Sequence, residues 1–236
     1  MENNFSLIDI FRMGGIFMWP LLFFSIWALA IVIERAVYFL YHNLHIEDIE
    51  ARVQGYLVTG NMRGAQDYLS ALIRKQLGAR VLLVMVKQRD IPESQLEKAV
   101  EASAASCIRE MEIGFNFLTA LGSLSPLTGF LGTVSGMIGA FKSIAEAENV
   151  NAQIVASGIY EALITTVFGL IIAITAMLAH AFLSHLVDSF ASDIEKTCSD
   201  LMVDITRLNA MGRGRTDLKL LPSPRPNQVL SLEEYT

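Results

Sequence analysis

Charge and cysteine are both scarce in this chain. Asp, Glu, Lys and Arg make up only 18% of its 236 residues, where a soluble domain carries about 25%. With 53% apolar residues and a mean hydropathy of +0.43, that deficit excludes a disordered chain and an ordinary soluble enzyme. Two cysteines, Cys107 and Cys198, are too few for a disulfide framework and lack metal-ligand spacing. Net charge is −6 with both signs interspersed, which gives no basic surface for nucleic acid. Neither a catalytic constellation, a metal site nor a cofactor is expected.

The missing charge is concentrated. Residues 16–33 form an uncharged run of 18, residues 113–141 one of 29, and residues 152–187 hold Glu161 as the one formal charge among 36. A bilayer core about 30 Å thick takes roughly 20 residues of helix, so three spans are predicted. At 1.5 Å per residue the second and third would reach about 43 and 54 Å, so both tilt or project into water. Ala28-Leu29-Ala30 has the small-x-small form of a cleavage site. Its upstream flank, with Glu2, Asp9 and a single Arg12, is not positive, so a retained anchor is expected.

Apart from Arg35 at the end of the first span, nine Lys and Arg lie between the first and second spans (Arg52 to Arg109) and six follow the third. One, Arg12, precedes the first run and one, Lys142, separates the second from the third. The positive-inside rule then places the N-terminus outside and the C-terminus in the cytoplasm.

The fold expected is an all-α integral membrane protein with three transmembrane helices, two of them long and extending into a cytoplasmic helical bundle. Residues 1–15 are the outer N-terminus, 16–40 the first span and 41–112 a cytoplasmic helical domain. Residues 113–141 are the second span, 142–153 an outer loop and 154–187 the third span. A cytoplasmic extension (188–210) and a flexible tail (211–236) follow. The helix starting near Pro92 is expected to run unbroken into the second span, since no breaker precedes Gly114. The tail reads Gly-Arg-Gly-Arg and then carries Pro222, Pro224 and Pro226. His42, His45, His180 and His185 are read as headgroup-level or solvated residues.

Candidate functional residues lie in the second and third spans. Gly122, Ser125, Gly129, Gly132, Gly136 and Ala140 recur every three or four residues, so they share one helical face. The third span has a similar ladder in Gly158, Ala162, Thr166, Gly169, Ala173 and Ala176. Two readings stay open: close packing of the two helices, or faces that line a narrow passage or hold a foreign helix. Hydroxyls cluster there too, with Ser125, Thr128, Thr133 and Ser135 in one helix and Thr165, Thr166 and Thr175 in the other. Glu161 costs about 2.5–3.5 kcal/mol at membrane depth, so it either snorkels to the outer surface or serves a cation or proton. It shares a face with Thr165. Pro126 removes one helical hydrogen bond and allows a kink.

Pro126-Leu-Thr-Gly-Phe-Leu-Gly-Thr133-Val-Ser-Gly-Met, followed by Gly158-Ile-Tyr-Glu161-Ala-Leu-Ile-Thr-Thr166-Val-Phe-Gly-Leu, resembles the MotA/TolQ/ExbB proton-channel family, closest to its ExbB/TolQ branch. Three spans, an outside N-terminus, a large cytoplasmic loop and Glu34-Arg35 closing the first span fit that layout. The resemblance implies a ring-forming homo-oligomer, a pentamer, in the bacterial inner membrane, with a periplasmic N-terminus. It implies an ExbD/TolR-like single-span partner whose membrane aspartate takes up and releases the proton, and a TonB/TolA-like protein as a further partner. By motif position, Thr133 and Thr166 are the pore-facing hydroxyls and Glu161 the acidic residue of the pathway. Pro126, Gly129, Gly132, Gly136, Ala162, Thr165, Gly169 and Ala173 line the pore or pack the helices. A purely structural scaffold and a sodium-driven member of the family are the alternatives.

Overall fold

A computed structural model describes residues 11, 14–42, 44–146 and 152–220. Every regular element among them is helical. In chain order these are α1 (Met18–Tyr41), α2 (Glu47–Val58), α3 (Met62–Leu72), α4 (Leu77–Lys87), α5 (Glu93–Met111), α6 (Phe115–Glu146) and α7 (Ala152–Leu220). Three helices are long and apolar enough to cross a membrane: Met18–Tyr41, Phe115–Glu146 and the 156–208 part of α7. The three predicted spans therefore correspond to α1, α6 and α7.

Two compact units divide the chain. The first takes residues up to 44 and residues 105–191, which brings α1, α6 and the first half of α7 together. Here α1 packs on α6. Most side chains of α1 face outward, among them Trp19, Phe23, Ile26 and Leu29, while Met18, Leu21, Ala28 and Arg35 are buried. Such an apolar exterior suits lipid or a neighbouring helix rather than water.

The second unit takes residues 45–104 and residues from 192 onward. Its core follows from spacing: Ile49, Val53 and Leu57 recur every fourth residue along α2, and Ile194, Cys198, Leu201 and Ile205 recur every three or four along α7. In the same unit α4 is buried nearly all round, with Leu77, Ala79, Val81, Leu82, Met85 and Val86 inside. Local chemistry sets the ends. Glu47, Asp48 and Glu50 favour the positive start of α2, Gly60 turns the chain at φ +70°, and Asn61 Oδ1 accepts the Gly64 N–H at 3.0 Å to start α3. Thr197 donates to Glu50 at 2.8 Å, joining α7 to α2.

Several boundaries differ from the sequence reading. The helix that starts after Pro92 does not continue into the second span: it stops at Met111 and restarts at Phe115. The cause is Gly114, held at φ +91°, a conformation no helical residue adopts. Of the two long helices expected, α7 alone runs through unbroken, for 69 residues or about 100 Å. It also continues ten residues into the segment expected to be a flexible tail, to Leu220, because the first helix-stopping proline is Pro222. The rest of that tail, residues 221–236, lies outside the described residues, as do residues 1–10 and residues 147–151 in the loop expected on the outer side. What is described of that loop is helical, since α6 extends to Glu146 and α7 begins at Ala152.

Candidate functional site

The site is the seam between α6 and α7. Residues later in α6 meet residues earlier in α7: a Cβ on Gly129 would lie 2.8 Å from Thr165 O and 3.0 Å from Thr166 Cα, and one on Gly136 would lie 3.0 Å from Ala162 Cβ. Toward the other end, Gly122 abuts Met177. The helices are antiparallel, and the two small-residue ladders face each other. Gly132, Gly136, Ala162, Gly169 and Ala173 all lie on this seam; a Cβ on Gly169 would lie 2.6 Å from Ser125 O. Backbones this close leave no room for a side chain.

Three threonines occupy the middle of the seam. Thr165 is buried and donates to Ala162 O at 2.8 Å. Thr166 donates across the helices to Gly129 O at 3.1 Å. Thr133 lies 3.1 Å from Ala162 O, and its hydroxyl is in direct hydrogen-bond contact with that of Thr166. Each hydroxyl has a single proton. The network closes when Thr165 serves Ala162 O, Thr166 serves Gly129 O and Thr133 donates to Thr166. The Thr133 oxygen then keeps acceptor capacity, and Thr133 and Thr166 are only half-buried. A rotation of the Thr133 hydroxyl turns that acceptor into a donor.

Glu161 stands one turn before Thr165, about 6 Å along the axis. It is half-buried, and its carboxylate lies against Gly15, which has φ +65°. The segment just before α1 thus forms a wall beside Glu161. Together they border a cleft of about 310 Å³ lined by Ser135, Gly136, Ser143, Ser157 and Gly158 as well as Gly14 and Ile16. Gly132, which abuts Thr165, lines it too, so the cleft reaches the level of Thr165, while the three threonines themselves are outside its lining. Its size suits several water molecules, each taking about 30 Å³.

Pro126 lies inside α6, which continues on both sides of it. The adjacent hydroxyls do not serve the carbonyl it frees: Ser125 donates to Leu121 O at 2.6 Å and Thr128 to Leu124 O at 2.9 Å. Thr175 donates to Ile171 O and Ile172 O, apart from the threonine cluster. His180 stacks edge-on against Phe115, 5.5 Å between centroids. His42 closes α1, with Nδ1 3.1 Å from Tyr38 O. Among the described residues no group of three His, Cys, Asp or Glu side chains is placed to hold a metal.

Sequence reasoning missed the Gly14–Gly15 wall beside Glu161, because nothing local links those glycines to a residue so far along the chain. It noted Arg35 only as a span-closing charge. The residue is buried.

The sequence profile of the MotA/TolQ/ExbB proton channel family matches residues 65–196, which include the seam. The ExbB-like 1 protein of Synechocystis sp. is 34% identical over 193 residues, covering 79% of this chain and 75% of that relative. The Tol-Pal system protein TolQ of Haemophilus influenzae is 38% identical over 107 residues, 44% of this chain and 47% of the relative. The biopolymer transport protein ExbB of Pseudomonas putida is 31% identical over 113 residues, 48% and 33% respectively. The last two alignments span less than half of either protein.

Proposed function

The chain belongs to the MotA/TolQ/ExbB proton channel family, in its ExbB/TolQ branch, and we propose that it is the ring-forming subunit of a proton-driven motor in the bacterial inner membrane. Five copies surround the membrane helices of two ExbD/TolR-like partners, and a TonB/TolA-like protein receives the work. The N-terminus is periplasmic and the C-terminus cytoplasmic, as the distribution of Lys and Arg favours.

The observation that carries this reading is the Thr133–Thr166 hydroxyl pair, half-buried in the seam beside the buried Thr165, with a cleft bordered by Glu161 that reaches Gly132, the residue before Thr133. Among the described residues no carboxylate lies at the depth of that pair, so a relay needs one from a partner. A protonated partner aspartate donates to the spare acceptor on Thr133. Once it has lost its proton, the same carboxylate accepts from the rotated hydroxyl. Glu161 and the serines around the cleft hold the water through which protons reach the pair. Neutralising the partner aspartate lets it cross the apolar wall of the ring to the next subunit. One elementary charge moving through 100 mV supplies about 2.3 kcal/mol, so each step is small or uses several charges.

The test is proton flux through vesicles containing the chain and its partner. Thr133→Val and Thr166→Val keep volume and remove the hydroxyl; flux is expected to fall at least tenfold in each. Full flux in both would rule the relay out. A second reading, a structural scaffold, is favoured by the internal partners that all three threonine hydroxyls have. It predicts that these variants alter assembly alone. A sodium-driven ring predicts flux that follows the sodium gradient rather than pH.

A further inference from the structure

Helix α5 ends at Met111, and the last carbonyls of any helix lack an intrahelical donor. Arg35 of α1 supplies one. Its Nη1 donates to Glu110 O at 2.9 Å and lies 3.4 Å from Met111 O. The other edge of the guanidinium faces Glu34, with Nε donating to Oε2 at 2.6 Å and Nη2 to Oε1. Its plane sits 4.8 Å from the centre of the Tyr38 ring. An arginine at the end of a span ordinarily snorkels into water, but this one is only 4% exposed. Both edges and one face of the group are in use, and the cation sits at the negative end of α5.

The same stretch of α1 also touches the bend itself. A Cβ on Gly114 would meet Ile31 Cγ2 at 3.0 Å, so Ile31 and Arg35, one turn apart, bracket the break between α5 and α6. The position of this joint determines where α6 starts. The start of α6 in turn sets which of its residues lie opposite which residues of α7.

We infer that Arg35 is a positioning residue that holds the 112–114 joint closed and thereby fixes the register of α6 against α7 at Thr133 and Thr166. A planar, multi-donor group is required, because one cation must serve a carboxylate on one side and carbonyls on the other. Lysine keeps the charge but not the fork. The consequence for ion flow rests on the motor reading given above; the clamp does not.

Hydrogen exchange on the full chain in lipid nanodiscs tests the clamp without any ion flow. Arg35→Gln is expected to speed exchange of the amides at 110–118 at least tenfold, with α4 unchanged. Arg35→Lys should restore part of the protection, with exchange about threefold faster than in the parent. Parental rates at the joint in both variants, or equal loosening of α4, would overturn the inference. If Arg35→Gln does not accumulate as folded protein, Arg35→Lys decides, and an unchanged joint in it refutes the clamp. Proton flux with the partner is then measured for Arg35→Lys, and a fall of at least threefold is expected. A loosened joint with full flux overturns the positioning role. If the parent chain itself carries no flux, the motor reading fails and the exchange result alone decides whether Arg35 holds the joint.

Discussion

Thr133 on α6 and Thr166 on α7 share a hydrogen bond between their hydroxyls, on the seam where Gly129 lies against the backbone of Thr165 and Thr166. The pair is therefore one unit, with Gly129 O and Ala162 O as its outlets within the protein.

This coupling predicts non-additivity. Interhelical hydrogen bonds in membranes contribute about 0.6 kcal/mol on average. Thr133→Val and Thr166→Val should each cost that order of stability, and the double variant clearly less than their sum. A double-mutant cycle in mild detergent measures it, and strict additivity would mean that the hydroxyls are not partners.

The seam predicts sharply different tolerance among glycines of one helix. Gly129→Ala forces a methyl group to within 2.8 Å of Thr165 O, a backbone atom that cannot move alone. Overpacking of this kind costs about 1–3 kcal/mol. Gly139→Ala meets nothing within 4 Å and should be neutral or stabilising by about 0.5–1 kcal/mol. Thermal unfolding of the two variants checks the contrast.

Glu161 separates the motor and scaffold readings. Glu161→Gln keeps the shape of the side chain against Gly15 and removes the titratable group. The motor reading expects intact assembly with proton flux reduced several-fold, and the scaffold reading expects no difference in flux. Gly15→Ala should impair the same property by another route, since it strains a residue at φ +65° and pushes on the carboxylate.

The second unit has its own weak points. Leu82 on α4 is fully buried, so Leu82→Ala should cost about 2–5 kcal/mol. Thr197→Val removes the 2.8 Å bond to Glu50, and hydrogen bonds to charged groups are worth about 1.5–3 kcal/mol. Limited proteolysis within residues 45–104 should speed up in both. Unchanged cleavage in Leu82→Ala would contradict the core described for this unit.

The three membrane-length helices were legible because a bilayer demands local absence of charge, and that absence is a property of contiguous residues. The seam ladders were legible for a similar reason: a three-and-four spacing marks one face of a helix whatever that face meets. Legibility ended where a contact joins distant positions. The break at Gly114 could be located as the first available breaker, yet the sequence reading carried the helix into the second span. Gly114 lies beside Ile31, and the carbonyl of Glu110 just before the break accepts from Arg35, both partners more than seventy residues earlier.

From its sequence alone this chain is determined as helical, membrane-crossing and equipped with hydroxyls in two small-residue faces, since those properties follow from composition and periodicity. Tertiary structure decided that Thr133 meets Thr166, that Glu161 rests on Gly15, and that Arg35 is buried on the end of α5. Each depends on which helix lies against which and at what register, and close packing of long rods fixes that only once all the faces are buried together.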